Sequence, residues 1–337
     1  MPGSGRPSSH VTTIQPLGDL ALESGEVLPR LEVGYDTWGE YTGDNAVLVL
    51  HALTGDSIVA GPDGWWNQVV GPGLGIDTDR FFVVAANILG GCKGTTGPAS
   101  EGPDGRVWGN RFPAVTVRDQ VAAEALLADH LEIASWHAVV GGSAGGMRAV
   151  EWAIMHPARV ERLFLLASSA YASAEQIAWT STQADIIRAA GPVAGLDLAR
   201  RIAHTTYRSE AELSERFGRE VQPDGRYAVT SYLQHHGEKL EKRFDAWSYI
   251  TLGDAMNSHD VGRGRGGVEA ALQQVTARTV VAAIDSDRLY PPYQQQQMAD
   301  LIPHADPLAV VESPHGHDGF LIEHEQVGAL ARDLLSR

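Results

Sequence analysis

The feature that most constrains the fold is a set of short apolar runs with no polar alternation. Asn45–His51 encloses Ala-Val-Leu-Val-Leu. Similar runs occur at Phe81–Ala86, Trp136–Val140, Val160–Leu166, Thr279–Ile284 and Pro307–Val311. A run without alternation leaves no face for water, so it suits a strand covered on both sides. Between these runs lie helical patterns at Thr116–Leu131, Gly145–His156, Gln294–Ile302 and Glu325–Ser336. Strand–helix alternation of this kind predicts a mostly parallel sheet with helices on both faces. Ahead of it, Thr12–Tyr41 alternates polar and apolar residues, as an antiparallel hairpin does.

One stretch breaks the rhythm. Ala170–Ala255 holds no buried-strand pattern but has helical segments at Ser173–Ala190, Leu196–Tyr207, Glu210–Phe217 and Tyr227–Phe244. Pro192 and the turn Gln222-Pro-Asp-Gly225 separate its helices. The expectation is a helical lid, residues 170–255, inserted into a core made of 11–169 and 256–337. A total of 337 residues suits one large core with such an insertion. No internal repeat at a fixed period is visible.

Composition excludes several classes of function. A formal net charge of −16 argues against nucleic acid and anionic membrane as partners, since basic patches bind both. No apolar run approaches the length that spans a bilayer. Met1–His10 is Pro/Gly/Ser-rich without an apolar h-region, so it reads as a disordered lead-in and not a signal peptide. The single cysteine, Cys92, allows no internal disulfide and points to the cytoplasm. Neither CxxC nor HExxH occurs, so no zinc site is expected.

The chemistry-bearing motif is Gly141-Gly142-Ser143-Ala144-Gly145, between the run Trp136–Val140 and the helical pattern Gly145–His156. A serine on a tight strand-to-helix turn needs small neighbours at −2 and +2, and both are Gly here. The helix start then aims free amides at the site. The alternative is a Gly-rich turn with an N-capping serine. The placement favours the nucleophile elbow of the α/β-hydrolase fold, with Ser143 attacking. Serine needs a base, and in that fold the order is Ser, then Asp or Glu, then His. Of 13 histidines, His317 and its neighbour His315 directly follow the last strand run. His10, His130, His156, His259 and His324 read as surface or helix residues. At the end of the preceding run, Asp285 and Asp287 both qualify as the acid that holds the imidazole tautomer. Oxyanion donors are expected from the amide of Ala144 and, in the loop His51–Gly55, from that of Leu53. Loss of one such donor typically costs roughly 2.7–4 kcal/mol.

These residues resemble the homoserine O-acyltransferases of α/β-hydrolase type, usually homoserine O-acetyltransferases of methionine biosynthesis. The resemblance is carried by His51-Ala-Leu-Thr-Gly-Asp56, Gly64-Trp-Trp66, Asn87-Ile-Leu-Gly-Gly-Cys92 with Gly94-Thr-Thr-Gly-Pro98, and Phe112–Asp119. It continues through Gly141–Met147 with Glu151-Trp-Ala153, Gly237-Glu-Lys239, Arg243–Ala246, Ser248-Tyr249, Ser286–Pro292 and Gly316-His-Asp318. It runs from about residue 15 to the end. It implies Asp287 as the acid and His317 as the base. It also implies Arg200 and Tyr207 in the lid, and Asp318, as substrate-binding residues, with Asp318 on the substrate ammonium. A guanidinium fork and a carboxylate suit a zwitterionic amino acid. The chain departs from the family pattern at Ala144 (usually Met), at Arg148 (usually Gln) and by a deletion around Ala189–Ala194.

The resemblance implies an acyl-CoA-dependent O-acyltransferase using acetyl-CoA and L-homoserine in a ping-pong reaction. Acetyl-CoA is a co-substrate, no bound cofactor is expected, and a homodimer through the lid is implied. The alternatives are succinyl-CoA as donor, serine as acceptor, an esterase with the same triad, and a non-enzymatic binding protein on this scaffold.

Overall fold

The structure, a computed structural model, describes residues 11–337. The lead-in and His10 lie outside the described residues. The chain opens with an antiparallel hairpin, β1 (Thr13–Ala21) and β2 (Val27–Trp38). Next come β3 (Ala46–Leu50), a two-stranded parallel pair β4 (Val70–Gly71) and β5 (Ile76–Asp77), and β6 (Phe82–Ala86). Helix α1 (Val117–His130), β7 (Ala138–Gly142), α2 (Ala144–Met155) and β8 (Arg162–Leu166) complete the first half. The insertion holds α3 (Ala174–Ala190), α4 (Pro192–Tyr207), α5 (Glu210–Phe217), α6 (Ala228–Glu241) and α7 (Ala246–Asn257). Then follow α8 (Val268–Leu272), β9 (Arg278–Ile284), α9 (Pro292–Leu301), β10 (Ala309–Val311), α10 (Gly319–Ile322) and α11 (His324–Ser336).

The main sheet runs β1-β2-β6-β3-β7-β8-β9-β10. From β6 to β10 every neighbouring pair is parallel, and β2 joins β6 antiparallel. All five residues of β3 are buried. Ala46, Leu48 and Leu50 pack with α1, α2 and α9 on one face, whereas Val47 and Val49 pack with α11 on the other. The two-faced burial explains why the run has no alternation.

Helix starts follow local chemistry. Thr116 and Asp119 form a capping box on α1, and Ser173 and Gln176 form one on α3. Gly191 at φ 84° and Pro192 in the first turn of α4 make the break between α3 and α4.

The hairpin and the six expected runs appear in order in the main sheet, but the pair β4–β5 was not expected. The run Pro307–Val311 forms only the short edge strand β10, with Val310 exposed because no strand lies beyond it. The run Trp136–Val140 becomes β7 two residues later, because Trp136 contributes only an isolated bridge to Val160. The expected helix Tyr227–Phe244 ends at Glu241, and a separate α7 follows, capped by the Asp245 side chain on the Ser248 amide. The insertion closes at its base where Tyr171 bridges Asp260. The chain therefore returns to the core near residue 260, a few residues beyond the expected 255. Its helices enclose their own apolar cluster, including Ala184, Leu196, Leu240 and Tyr249. Among the described residues no helix is long and apolar enough to cross a membrane.

Candidate active site

The sharp turn after β7 places Ser143. Its backbone sits at φ 55°, ψ −124°, a strained conformation for a non-glycine residue. The flanking glycines are required by space. A Cβ on Gly141 would meet the Gly145 carbonyl oxygen at 2.2 Å, and one on Gly145 would meet that of Leu50 at 2.0 Å. The turn is held by the Ser143 amide donating to Leu166 (3.0 Å) and by Ser168 Oγ donating to the Ser143 carbonyl (2.8 Å). Ser143 makes no side-chain capping bond. Its hydroxyl instead lies 2.9 Å from His317 Nε2, which disposes of the capping reading.

His317 sits in a short turn, Gly316–Asp318, after β10. Its Nδ1 lies 2.6 Å from Asp287 Oδ2, and the other Asp287 oxygen accepts the amides of Leu289 and Tyr290, each at 2.9 Å. This arrangement makes Nδ1–H the donor to Asp287 and leaves Nε2 to accept from Ser143. Ser143, His317 and Asp287 are 6%, 3% and 3% exposed, so water competes little for these bonds. Burial alone would lower the His317 pKa; the Asp287 carboxylate outweighs it and holds it above the usual histidine value.

The two local ambiguities resolve by geometry. Asp285 is exposed and accepts the Ser313 amide (2.9 Å), which is turn chemistry at a strand end. His315 points to Glu212, 3.2 Å away on α5. Of the other histidines, His259 corrects the expectation of a surface or helix residue. It is 4% exposed, and its Nε2 lies 3.1 Å from the Ser169 carbonyl at the base of the insertion. His130 is an exposed helix end, while His156 and His324 are partly buried helix-end residues.

Two small cavities meet at Ser143 and share Leu53 and Tyr207. One carries charge, being lined by Arg200, Asp318 and His317. The other is uncharged, lined by Gln176, Trp179, Gln183 and Tyr249 among others. Arg200 lies over the Tyr207 ring, 5.2 Å from its centroid, a cation–π contact. Its neighbour Arg201 instead pairs with Asp197 on the same helix, so the two arginines differ in what they face. Burial raises the Tyr207 pKa, keeping its hydroxyl protonated. Asp318 is 3.1 Å from Arg208 Nε, and Arg208 also binds Glu212 at 3.0 Å. Burial raises the Asp318 pKa, opposed mainly by Arg208. Arg208 was not foreseen; its only sequence signal is the i,i+4 spacing to Glu212.

Leu53 stands in the loop after β3, and Ala144 opens α2. Among the described residues neither amide has a hydrogen-bond partner. Leu53 lines both cavities at Ser143, and Ala144 directly follows the serine. A buried serine hydroxyl bonded to an imidazole, the imidazole bonded to a carboxylate, and free amides nearby together can form and break a serine ester.

The strand order, the elbow and this hydrogen-bonded chain define a protein of the α/β-hydrolase fold, and residues 45–323 match the alpha/beta hydrolase fold family. Homoserine O-acetyltransferase from Thermobifida fusca is 55% identical over 347 residues, covering 94% of this chain and 92% of that protein. The crystal structure of homoserine O-acetyltransferase from Bacillus anthracis superposes with a TM-score of 0.91 at 26% identity, covering 97% of this chain and 98% of that one. The chain belongs to the homoserine O-acetyltransferase family. Esterase E22 shares the fold at 23% identity, with a TM-score of 0.89 over 96% of this chain and 99% of that one.

Proposed function

We propose that this chain transfers an acetyl group from acetyl-CoA to the hydroxyl of L-homoserine, releasing CoA and O-acetyl-L-homoserine, a step of methionine biosynthesis. The observation that carries the reading is the Asp287–His317–Ser143 chain opening onto a cavity that also presents Arg200 and Asp318.

Acylation begins with His317 Nε2 taking the Ser143 proton as Oγ attacks the thioester carbonyl. The Leu53 and Ala144 amides bind the oxyanion, the C–S bond breaks, and the sulfur leaves as the thiol with the proton from His317. Homoserine then enters, its carboxylate held by Arg200 and its ammonium by Asp318, with Tyr207 closing the space between. His317 takes the proton of the homoserine hydroxyl, the oxygen attacks the acyl-enzyme, and Ser143 leaves with the proton. Asp287 holds the needed tautomer and stabilises the imidazolium throughout. This sequence needs no metal and no bound cofactor.

The acyl-CoA donor and the single cysteine suit a cytoplasmic setting. A homodimer through the inserted helices is part of this reading, as the family resemblance implies. The deciding experiment is a donor-by-acceptor panel with acetyl- and succinyl-CoA against homoserine, serine and water. The reading expects acetyl-CoA with homoserine to give the highest kcat/KM. Faster transfer to water than to homoserine would make the chain an esterase.

A further inference from the structure

A fully buried arginine lies behind the nucleophile turn. Arg148 of α2 is 0% exposed. One arm of its guanidinium pairs with Glu124 of α1. The other donates to the His51 carbonyl at 2.6 Å. The second Glu124 oxygen accepts Trp152 Nε1 at 2.7 Å, so both carboxylate oxygens are occupied. A buried ion pair is a poor device for stability alone, because desolvation offsets most of the attraction.

The carbonyl that Arg148 holds lies two residues before Leu53. His51 is itself fixed: its Nδ1–H donates to the Ala52 carbonyl (2.7 Å), and its Nε2 accepts the Ile88 amide (3.2 Å). Burial, reinforced by the Arg148 charge, lowers its pKa to about 3, so the ring stays neutral at working pH. Beyond Leu53, the Thr54 carbonyl accepts Arg243 Nη1 (2.9 Å), and the Gly55 amide turns back to Ala52 (2.9 Å). The loop is thus pinned on both sides of the Leu53 amide.

We infer that Arg148, seated on Glu124 and gripping the His51 carbonyl, is a positioning residue that sets the distance between the Leu53 amide and Ser143. A single guanidinium ties α1, the nucleophile helix and the oxyanion loop together. This rests on the proposed role of Leu53 as an oxyanion donor.

The test uses single-turnover acylation of Ser143 by p-nitrophenyl acetate, which reads serine and oxyanion loop whatever the natural donor. If wild type accepts this ester but not acetyl-CoA, the proposed function fails while this test stands. Arg148→Met combined with Glu124→Gln removes both charges without stranding a carboxylate. Arg148→Lys keeps the charge on Glu124 but has no second arm for the carbonyl. A slight displacement of an oxyanion donor corresponds to about 10- to 100-fold in rate. The acylation rate constant should fall by about that factor in the double variant and by about tenfold in Arg148→Lys. The half-saturating ester concentration should stay within about threefold, and thermal unfolding should show both proteins folded. A folded double variant acylating within about threefold of wild type would overturn the inference, as would a loss confined to half-saturation. If the double variant does not fold, Arg148→Lys decides by the same thresholds.

Discussion

The sheet core and the inserted helices build two halves of one site by different means. In the core, Ser143, Asp287, His317 and Leu53 each stand on a loop that directly follows a strand: β7, β9, β10 and β3. β3, β7 and β9 are buried on both faces and hold their loops with little freedom, whereas β10 is a short edge strand with Val310 exposed. In the insertion, Arg200 and Tyr207 project from α4, whose place depends on packing against α3 and α6. On the proposed reading the core governs chemistry at the serine, while the insertion governs which molecule meets it.

This division predicts that core and insertion variants fail in different half-reactions. The largest effect belongs to the core. Asp287→Asn should lower acylation by about 10⁴, the scale set by loss of a triad acid, because the amide cannot hold the required tautomer. Asp285→Asn, at an exposed position whose side chain accepts the Ser313 amide, should stay within a few-fold of wild type. The reverse ranking would move the acid. The wild-type pH profile of acylation carries the same information. Only neutral His317 is a base, and its pKa is raised, so activity should fall as pH drops through a midpoint above the 6.5 of ordinary histidine. A midpoint below that value would contradict the Asp287 contact.

A smaller effect belongs to the insertion. Arg200→Ala should leave acylation by acetyl-CoA nearly intact yet slow transfer to homoserine. Breaking a desolvated charge contact costs roughly 2–5 kcal/mol, or about 30- to several-thousand-fold. Arg200→Lys should recover little, since an ammonium does not reproduce the planar fork. Arg201→Ala should change neither half-reaction, because Arg201 is engaged with Asp197. Damage to acylation by Arg200→Ala would erase the distinction between the two regions.

The same contrast governs what the sequence discloses. Core strands announce themselves by composition, and the elbow by glycines that the Gly145 and Leu50 carbonyls demand. Local pattern alone left Asp285 and Asp287 as two candidates, and His315 as a competitor to His317. The resemblance to a family chose between them, and the turn geometry shows the reason: the Asp287 carboxylate and the His317 ring converge, while Asp285 turns to solvent. The insertion was legible only as helices. Arg200 and Arg201 both read as ordinary helix arginines, and their contacts with Tyr207 and Asp197 separate them. Arg208 beside Asp318, the buried His259 and the Arg148–Glu124 pair escaped for the same reason. Each is made by contacts between segments far apart in the chain, which no local window records.

The most direct test of the account is the mass of the protein after exposure to acetyl-CoA alone. With no acceptor present, the acetyl group should remain on the enzyme, and one acetyl mass should appear on a peptide containing Ser143. Adding homoserine should discharge it as O-acetylhomoserine. Ser143→Ala should show neither the adduct nor turnover. A Ser143→Ala protein that still transferred acetyl groups at near wild-type rate would contradict covalent catalysis at this serine.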